Sequence, residues 1–260
     1  AGLIVIVSVL LVSCNGKTGN TITVGSDKLD NTQSYFSESM HKAARCDSGY
    51  YYLDKCGASA DNLMFYDDKS EESIVLCNKP QCGHDGEECM AYISGSEFKS
   101  ELYYYNSYIY MISSKGNLVR ISADGTQRTD LGSICVLSGQ DSVSMCFNDG
   151  YAYVSQEITG DIEGNVTVRL YRFNLDTGSS DKIYEETGYG IGINSLKTYG
   201  SDTFFLKTSV SKDDKGLYSL EGKGIFRITG ENTECLLDKN VYSYCIDADN
   251  NKLYYSGLGD

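Results

Sequence analysis

"SYIYMISSKGNLVRISADG", Ser107 to Gly125, carries the pattern from which the architecture follows. It holds two short runs joined by a polar turn. In the first, "SYIYMIS", large apolar or aromatic side chains alternate with others, the period of a strand with one buried face. The second, "LVRISADG" from Leu118, reads apolar, apolar, Arg, apolar and then a polar turn. Both recur along the chain. The first has counterparts in "GYYYLD" at Gly49, "GYAYVSQ" at Gly150, "DTFFLKT" at Asp202 and "NKLYYSG" at Asn251. The second returns as "LYRFNLDTG" from Leu170, "IFRITGEN" from Ile225 and, more loosely, "LMFYDDKS" from Leu63. Arg120, Arg172 and Arg227 hold the same place in it. A third apolar run closes the unit: "SIVLC" ending at Cys77, "DKIYEE" from Asp181 and "ECLLD" from Glu234.

The unit is therefore roughly 45 to 55 residues of about four short strands, the size of a propeller blade. A four-stranded sheet alone leaves a face bare, and neighbours stacked around an axis bury it. Composition agrees with an all-β chain rich in turns: 22 Tyr and 27 Gly against one Pro and no Trp. The expectation is an all-β β-propeller of four-stranded blades. Four units can be counted and a fifth begins near Tyr244, so about four to five blades are present. A sequence that stops at Asp260 inside a strand pair reads as an incomplete part of a longer propeller. A β-sandwich or an open array of hairpins is the alternative, kept open by the uneven spacing of the units.

The chain opens with "AGLIVIVSVLLVSC". Its apolar run from Leu3 to Val12 is shorter than the about 20 residues that span a bilayer, and has the length of a secretory signal's apolar region. It ends in "LVSC", Leu11 to Cys14, which resembles the lipobox of bacterial lipoproteins. That resemblance implies cleavage before Cys14 and lipid on its sulfur. It makes residues 1–13 a leader whose start is missing, 14–45 a lipidated cysteine with a polar tether, and 46–260 the propeller. At least two lipid chains on such a cysteine would anchor it stably. The net charge of −14 argues against nucleic acid and against a basic patch docking on anionic lipid. The lipid is then the membrane contact, on the extracytoplasmic face.

The tether, the "GYYYL" strand, "YDDKSEESIVLCNKPQCGHDGEECMAY" and "LYRFNLDTG" resemble a family of lipoproteins from anaerobic Gram-positive gut bacteria. Its propeller is related to the TolB and low-density-lipoprotein-receptor types. The resemblance covers nearly all of the chain after Cys14 and implies place and fold, not an activity.

One segment reads as specific chemistry: "CNKPQCGHDGEEC", within a Cys/His-rich loop at 77–92. Its spacing, C-x4-C-x-H-x4-C, uses Cys77, Cys82, His84 and Cys89. Three thiolates and an imidazole suit a structural zinc, although the first gap is wider than the usual two to four residues. Pro80 stiffens the loop, and Gly83 and Gly86 are expected to let it fold back. The competing reading is a disulfide between two of the three cysteines. Setting Cys14 aside leaves nine of the ten cysteines, an odd number. Three near-neighbour pairs, Cys46 with Cys56, Cys135 with Cys146 and Cys235 with Cys245, are candidate disulfides. Alternatively they are buried free thiols, since the paired positions fall on opposite blade edges.

Other motifs read as ordinary turns. "ISADGTQRT" resembles the Asp-box of sialidase-like propellers but fits an Asp-Gly hairpin turn better. "DADNNK", Asp247 to Lys252, lacks the Gly and Glu of a calcium loop, and "GYGIGIN" at Gly188 is a connector. Only His41 and His84 are available for acid–base work; a Cys82–His84 dyad is conceivable, but two residues apart they aim more naturally at one ion. The recurring arginines are expected to pair with a neighbouring blade. The function expected is a cell-surface binding module for a glycan, peptide or envelope protein. The rival is an extracellular glycan hydrolase or lyase using channel carboxylates and Tyr. A metal or redox sensor is a third, weaker reading.

Overall fold

The computed structural model describes residues 8–12, 18–23 and 43–257, except 96, 99–100, 139, 161–163, 231, 248–249 and 251. Cys14 and His41, and with them the expected lipid site, lie outside the described residues. Every regular element described is a β-strand, so no described helix is long and apolar enough to cross a membrane. β1 (Ser8–Val12) and β2 (Thr18–Thr23) form an antiparallel pair. The first sheet holds β3 (Ala43–Cys46), β4 (Gly49–Lys55), β5 (Ala60–Asp67), β6 (Glu72–Val75) and β7 (Tyr92–Ser94). The second holds β8 (Tyr103–Tyr105), β9 (Tyr108–Ile112), β10 (Asn117–Ser122) and β11 (Arg128–Ser133). The third holds β12 (Ser142–Asn148), β13 (Tyr151–Thr159), β14 (Asn165–Asn174) and β15 (Ser180–Tyr189). The fourth holds β16 (Gly192–Tyr199), β17 (Asp202–Lys212), β18 (Tyr218–Thr229) and β19 (Asn232–Leu237), and β20 (Val241–Asp247) pairs with β21 (Lys252–Gly257). Within the sheets chain neighbours are sheet neighbours, as the four-strand repeat requires, except that β7 pairs with β5.

The chain forms two compact units. One comprises residues 31–154 and 171–181. Here β9 is buried on both faces, not one. Ile109 and Met111 enter a core with Ala44, Tyr51 and Leu63 of the first sheet. Tyr110 and Ile112 enter another, with Phe147, Ala152 and Phe173 of the third. The Phe147 ring centroid lies 5.2 Å from that of Tyr105 and 4.6 Å from that of Tyr110. Burial on both sides explains why the strand reads "YIYMI", without the polar alternation of a sheet wetted on one side.

The other unit comprises residues 1–30, 155–170 and 182–260. β17 repeats the two-faced pattern. Phe204 and Leu206 join Tyr199, Ile225, Val241, Tyr244 and Leu253, while Phe205, equally buried, stacks on Phe226 at 5.6 Å and meets Tyr184 at 5.4 Å.

The recurring arginines find partners within their own sheets, which corrects the expectation of neighbouring-blade pairs. Arg120 lies over the Tyr108 ring at 4.6 Å. Arg172 lies 5.4 Å over the Tyr151 ring and 3.4 Å from Asp181. Arg227 reaches Glu234 at 2.7 Å and Asp202 at 3.6 Å. An arginine on the third strand of a meander has strands on both sides, and its long stem reaches across a strand more readily than between sheets.

The outer edge of the first sheet is split. β6 pairs with β5 at Met64↔Val75, and β7 resumes on the same side at Asn62↔Tyr92. Between them, the Leu63 carbonyl accepts a hydrogen bond from the Leu76 amide (2.9 Å), and the Leu63 amide donates to the Ala91 carbonyl (2.8 Å). Leu76 and Ala91 thus share one register position. The segment from Cys77 to Met90 leaves and returns through that point, so it interrupts the fourth strand instead of following it.

Candidate metal centre

The excursion brings together the residues its spacing singles out. One ligand atom from each of Cys77, Cys82, His84 and Cys89 lies within 4.8 Å of all the others. His84 Nδ1 is 3.3 Å from Cys89 Sγ. Around one tetrahedral ion with bonds of about 2.3 Å to sulfur and about 2.0 Å to nitrogen, ligand atoms lie roughly 3.5–4 Å apart. The four can therefore close on an ion with small movements. Cys89 is buried and the other three are half-buried, so the set sits at the base of the loop.

Cys77 follows Leu76 directly and Cys89 precedes Ala91 by two residues, which places two ligands at the neck. The Cys89 amide donates to the Gly86 carbonyl at 3.0 Å and the Cys82 amide to the Lys79 carbonyl at 3.3 Å. The Lys79 ammonium donates to the Glu88 carbonyl across the loop. The left-handed turns fall at Gln81 (φ 60°) and His84 (φ 55°) and not at Gly83 or Gly86. That departs from expectation and puts a β-carbon where the backbone disfavours one. Burial raises the Cys89 thiol to about 11. At Cys77 burial acts the same way, but hydrogen bonds from the Lys79 amide, Cys89, the Met90 amide and Cys82 outweigh it and hold this thiol below its ordinary value.

The neck also carries the neighbouring sheet. The turn between β10 and β11 presses Gly125 (φ 69°) so close that a β-carbon there would lie 2.6 Å from the Leu76 carbonyl oxygen. The Tyr51 hydroxyl donates to the Ala123 carbonyl in the same turn at 3.2 Å. Within the turn, Asp124 accepts from the Ser122 hydroxyl (2.7 Å) and the Thr126 hydroxyl (2.7 Å). The Ser122 and Thr126 hydrogen bonds lower the Asp124 carboxyl to about 2. It is the Asp-Gly hairpin turn expected.

The other described cysteines differ in burial. Cys46, Cys135 and Cys146 are buried thiols, while Cys56, Cys235 and Cys245 are exposed. Asp247 accepts from the Asn250 amide at 3.1 Å, the geometry of a solvated turn. In the connector at Gly188, the Gly190 amide donates to the Gly164 carbonyl, and the Val210 amide to that of Gly190. The carboxyls of Asp67, Asp124, Glu185, Glu186 and Glu221 titrate below their ordinary values. The clearest surface feature missed by motif reading is aromatic. Tyr189 and Tyr218 are 41% and 60% exposed, with ring centroids 6.2 Å apart and planes 25° from parallel. Lys212 Nζ lies 5.1 Å over Tyr218, and Leu217 and Leu220 beside it are exposed. The only sequence signal was the pair of tyrosines near strand ends.

No protein-family model matches the sequence, and no curated protein matches it. Solved structures do. An oligogalacturonate lyase from Vibrio parahaemolyticus superposes with a TM-score of 0.51 at 10% identity, over 97% of this chain and 66% of that one. An oligogalacturonate lyase in complex with manganese gives 0.47 at 12% identity, over 77% and 54%. Quinohemoprotein alcohol dehydrogenase from Comamonas testosteroni gives 0.43 at 11%, over 82% and 38%. The likeness is one of fold: this is an all-β chain of propeller type, built from four-stranded antiparallel sheets. It spans between half and two thirds of the length of the two lyases.

Proposed function

We propose that this chain is an extracytoplasmic, lipid-anchored binding module whose first ligand class is glycan, ahead of peptide or envelope protein. The stacked, exposed Tyr189–Tyr218 pair carries the reading. A flat aromatic surface accepts the C–H face of a sugar ring, and an exposed apolar patch on a soluble surface marks an interaction site. Lys212 and the hydroxyls of Ser211 and Ser219, the latter two 2.8 Å apart, supply polar contacts nearby. The "LVSC" resemblance supports the anchor at Cys14. In the same reading Cys77, Cys82, His84 and Cys89 hold a structural ion, and zinc suits three sulfurs and one imidazole.

The second reading, a lyase on acidic oligosaccharide, is favoured by the fold likeness to an oligogalacturonate lyase. It is opposed by the net charge of −14, which repels a polyanionic chain. Calorimetry of the full chain against neutral envelope oligosaccharides tests the first reading. Tyr189→Ala with Tyr218→Ala is expected to weaken binding about tenfold or more. Undiminished binding would remove the platform, and unsaturated uronate ends released from oligogalacturonate would put the lyase in its place.

A further inference from the structure

We infer that a single Zn2+ on Cys77, Cys82, His84 and Cys89 works as the closure of a split strand. It holds the two halves of the first sheet's outer edge, β6 and β7, in one register. The inference rests on the structural-ion reading and adds a mechanical role to it. The observation is the shared position at Leu63, which hydrogen-bonds to Leu76 on the outgoing arm and Ala91 on the returning one. In a continuous strand one residue would make both bonds, and covalent geometry would hold donor and acceptor together. Here that link is replaced by the whole excursion from Cys77 to Met90. β7 is only three residues long, Tyr92–Ser94, so few hydrogen bonds of its own keep the returning arm in place.

Beyond the Lys79–Glu88 hydrogen bond and two tight turns, the excursion has little internal structure to close it. Between the arms lie Lys79, Pro80, Gln81, Gly83, Asp85, Gly86, Glu87 and Glu88, mostly exposed and contributing little apolar burial. Its turns at Gln81 and His84 adopt left-handed backbone that L side chains disfavour. Something must offset that cost, and the convergence of four ligand atoms within 4.8 Å is the candidate. Two ligands, Cys77 and Cys89, stand at the two arms; Cys82 and His84 come from the outer part of the loop. One ion would join arm to arm and arm to tip. Four protein ligands fill a tetrahedral zinc and leave no open position, which marks a structural site.

The closure reaches the second sheet as well. The Gly125 turn packs on the Leu76 carbonyl, and Arg128 Nη1 donates to the Tyr92 carbonyl at 3.0 Å. The two arms are thus read by the same neighbouring strand pair, β10–β11. If the arms separate, both contacts go.

The test uses the full chain purified without oxygen, with zinc present and then after chelation. Metal analysis should give one zinc per chain. His84→Cys, which offers four thiolates, should keep it, and Cys82→Ser should lose it. Hydrogen exchange then reads the closure. On zinc removal the Leu63 and Leu76 amides should exchange about tenfold faster or more, while those of β17 and β18 stay protected. Stoichiometric zinc with Leu63 and Leu76 equally protected after removal would overturn the closure and leave the structural ion standing. Absence of zinc from the wild-type chain would overturn both. If Cys82→Ser does not fold, chelation of the wild-type chain reads the same exchange.

Discussion

Gly125 concentrates at one residue what holds the first two sheets together. Its left-handed φ of 69° and the 2.6 Å approach to the Leu76 carbonyl each exclude a side chain. Gly125→Ala is expected to destabilise the protein by about 2 kcal/mol or more, since an alanine pays the left-handed cost and also collides with backbone. A fall in the urea midpoint at constant slope would report it; an unchanged midpoint would mean that turn and neck separate without cost. The turn itself was legible from Asp124-Gly125, because a tight turn favours a residue that tolerates left-handed backbone, as Gly125 does. Its contact with the neck was not, because nothing local to the turn names the residue it presses on. The ligand set shows the same division. Cys77, Cys82, His84 and Cys89 are recognisable by spacing, but the left-handed backbone at Gln81 and His84 runs against the expectation that Gly83 and Gly86 would turn the chain.

The strands buried on both faces were the most legible elements. "YIYMI" in β9 and "TFFL" in β17 are nearly all apolar because a core lies on each side, and a reading based on alternation finds them while mistaking their surroundings. Met111, fully buried between the first two sheets, should on truncation to alanine cost about 2–5 kcal/mol, measurable by denaturant titration. A loss well under that range would mean the sheets close over the gap. Outer strands were harder. β11, "RTDLGS", is largely exposed and shows no apolar run, so it is defined by its ladder to β10 and not by its own residues. β7 was missed for another reason: "YIS" is three residues whose partner, Ala60–Asn62, lies far back in the chain. Short strands with distant partners have no local signature.

At the scale of the molecule, repetition made the fold readable before any single strand was certain, because a propeller's blades answer to the same packing rules in turn. Function was not readable in that way, since blades alike in their cores differ in the loops and surface side chains that meet a ligand. The net charge of −14 acts on the whole chain, and self-repulsion among 36 acids should yield to screening. We expect the melting temperature to rise between about 0.01 M and about 1 M salt, as the Debye length falls from about 30 Å to about 3 Å. A flat profile would show that ion pairs such as Lys207–Glu186, 2.5 Å apart, already neutralise the surface locally. The split edge has a consequence of another kind. Because Leu76 and Ala91 occupy one place in the ladder, the sheet keeps no record of how much chain lies between them. That point is a socket: evolution or a protein engineer can exchange the cassette it holds for one of another length, and the blade beneath keeps the same count.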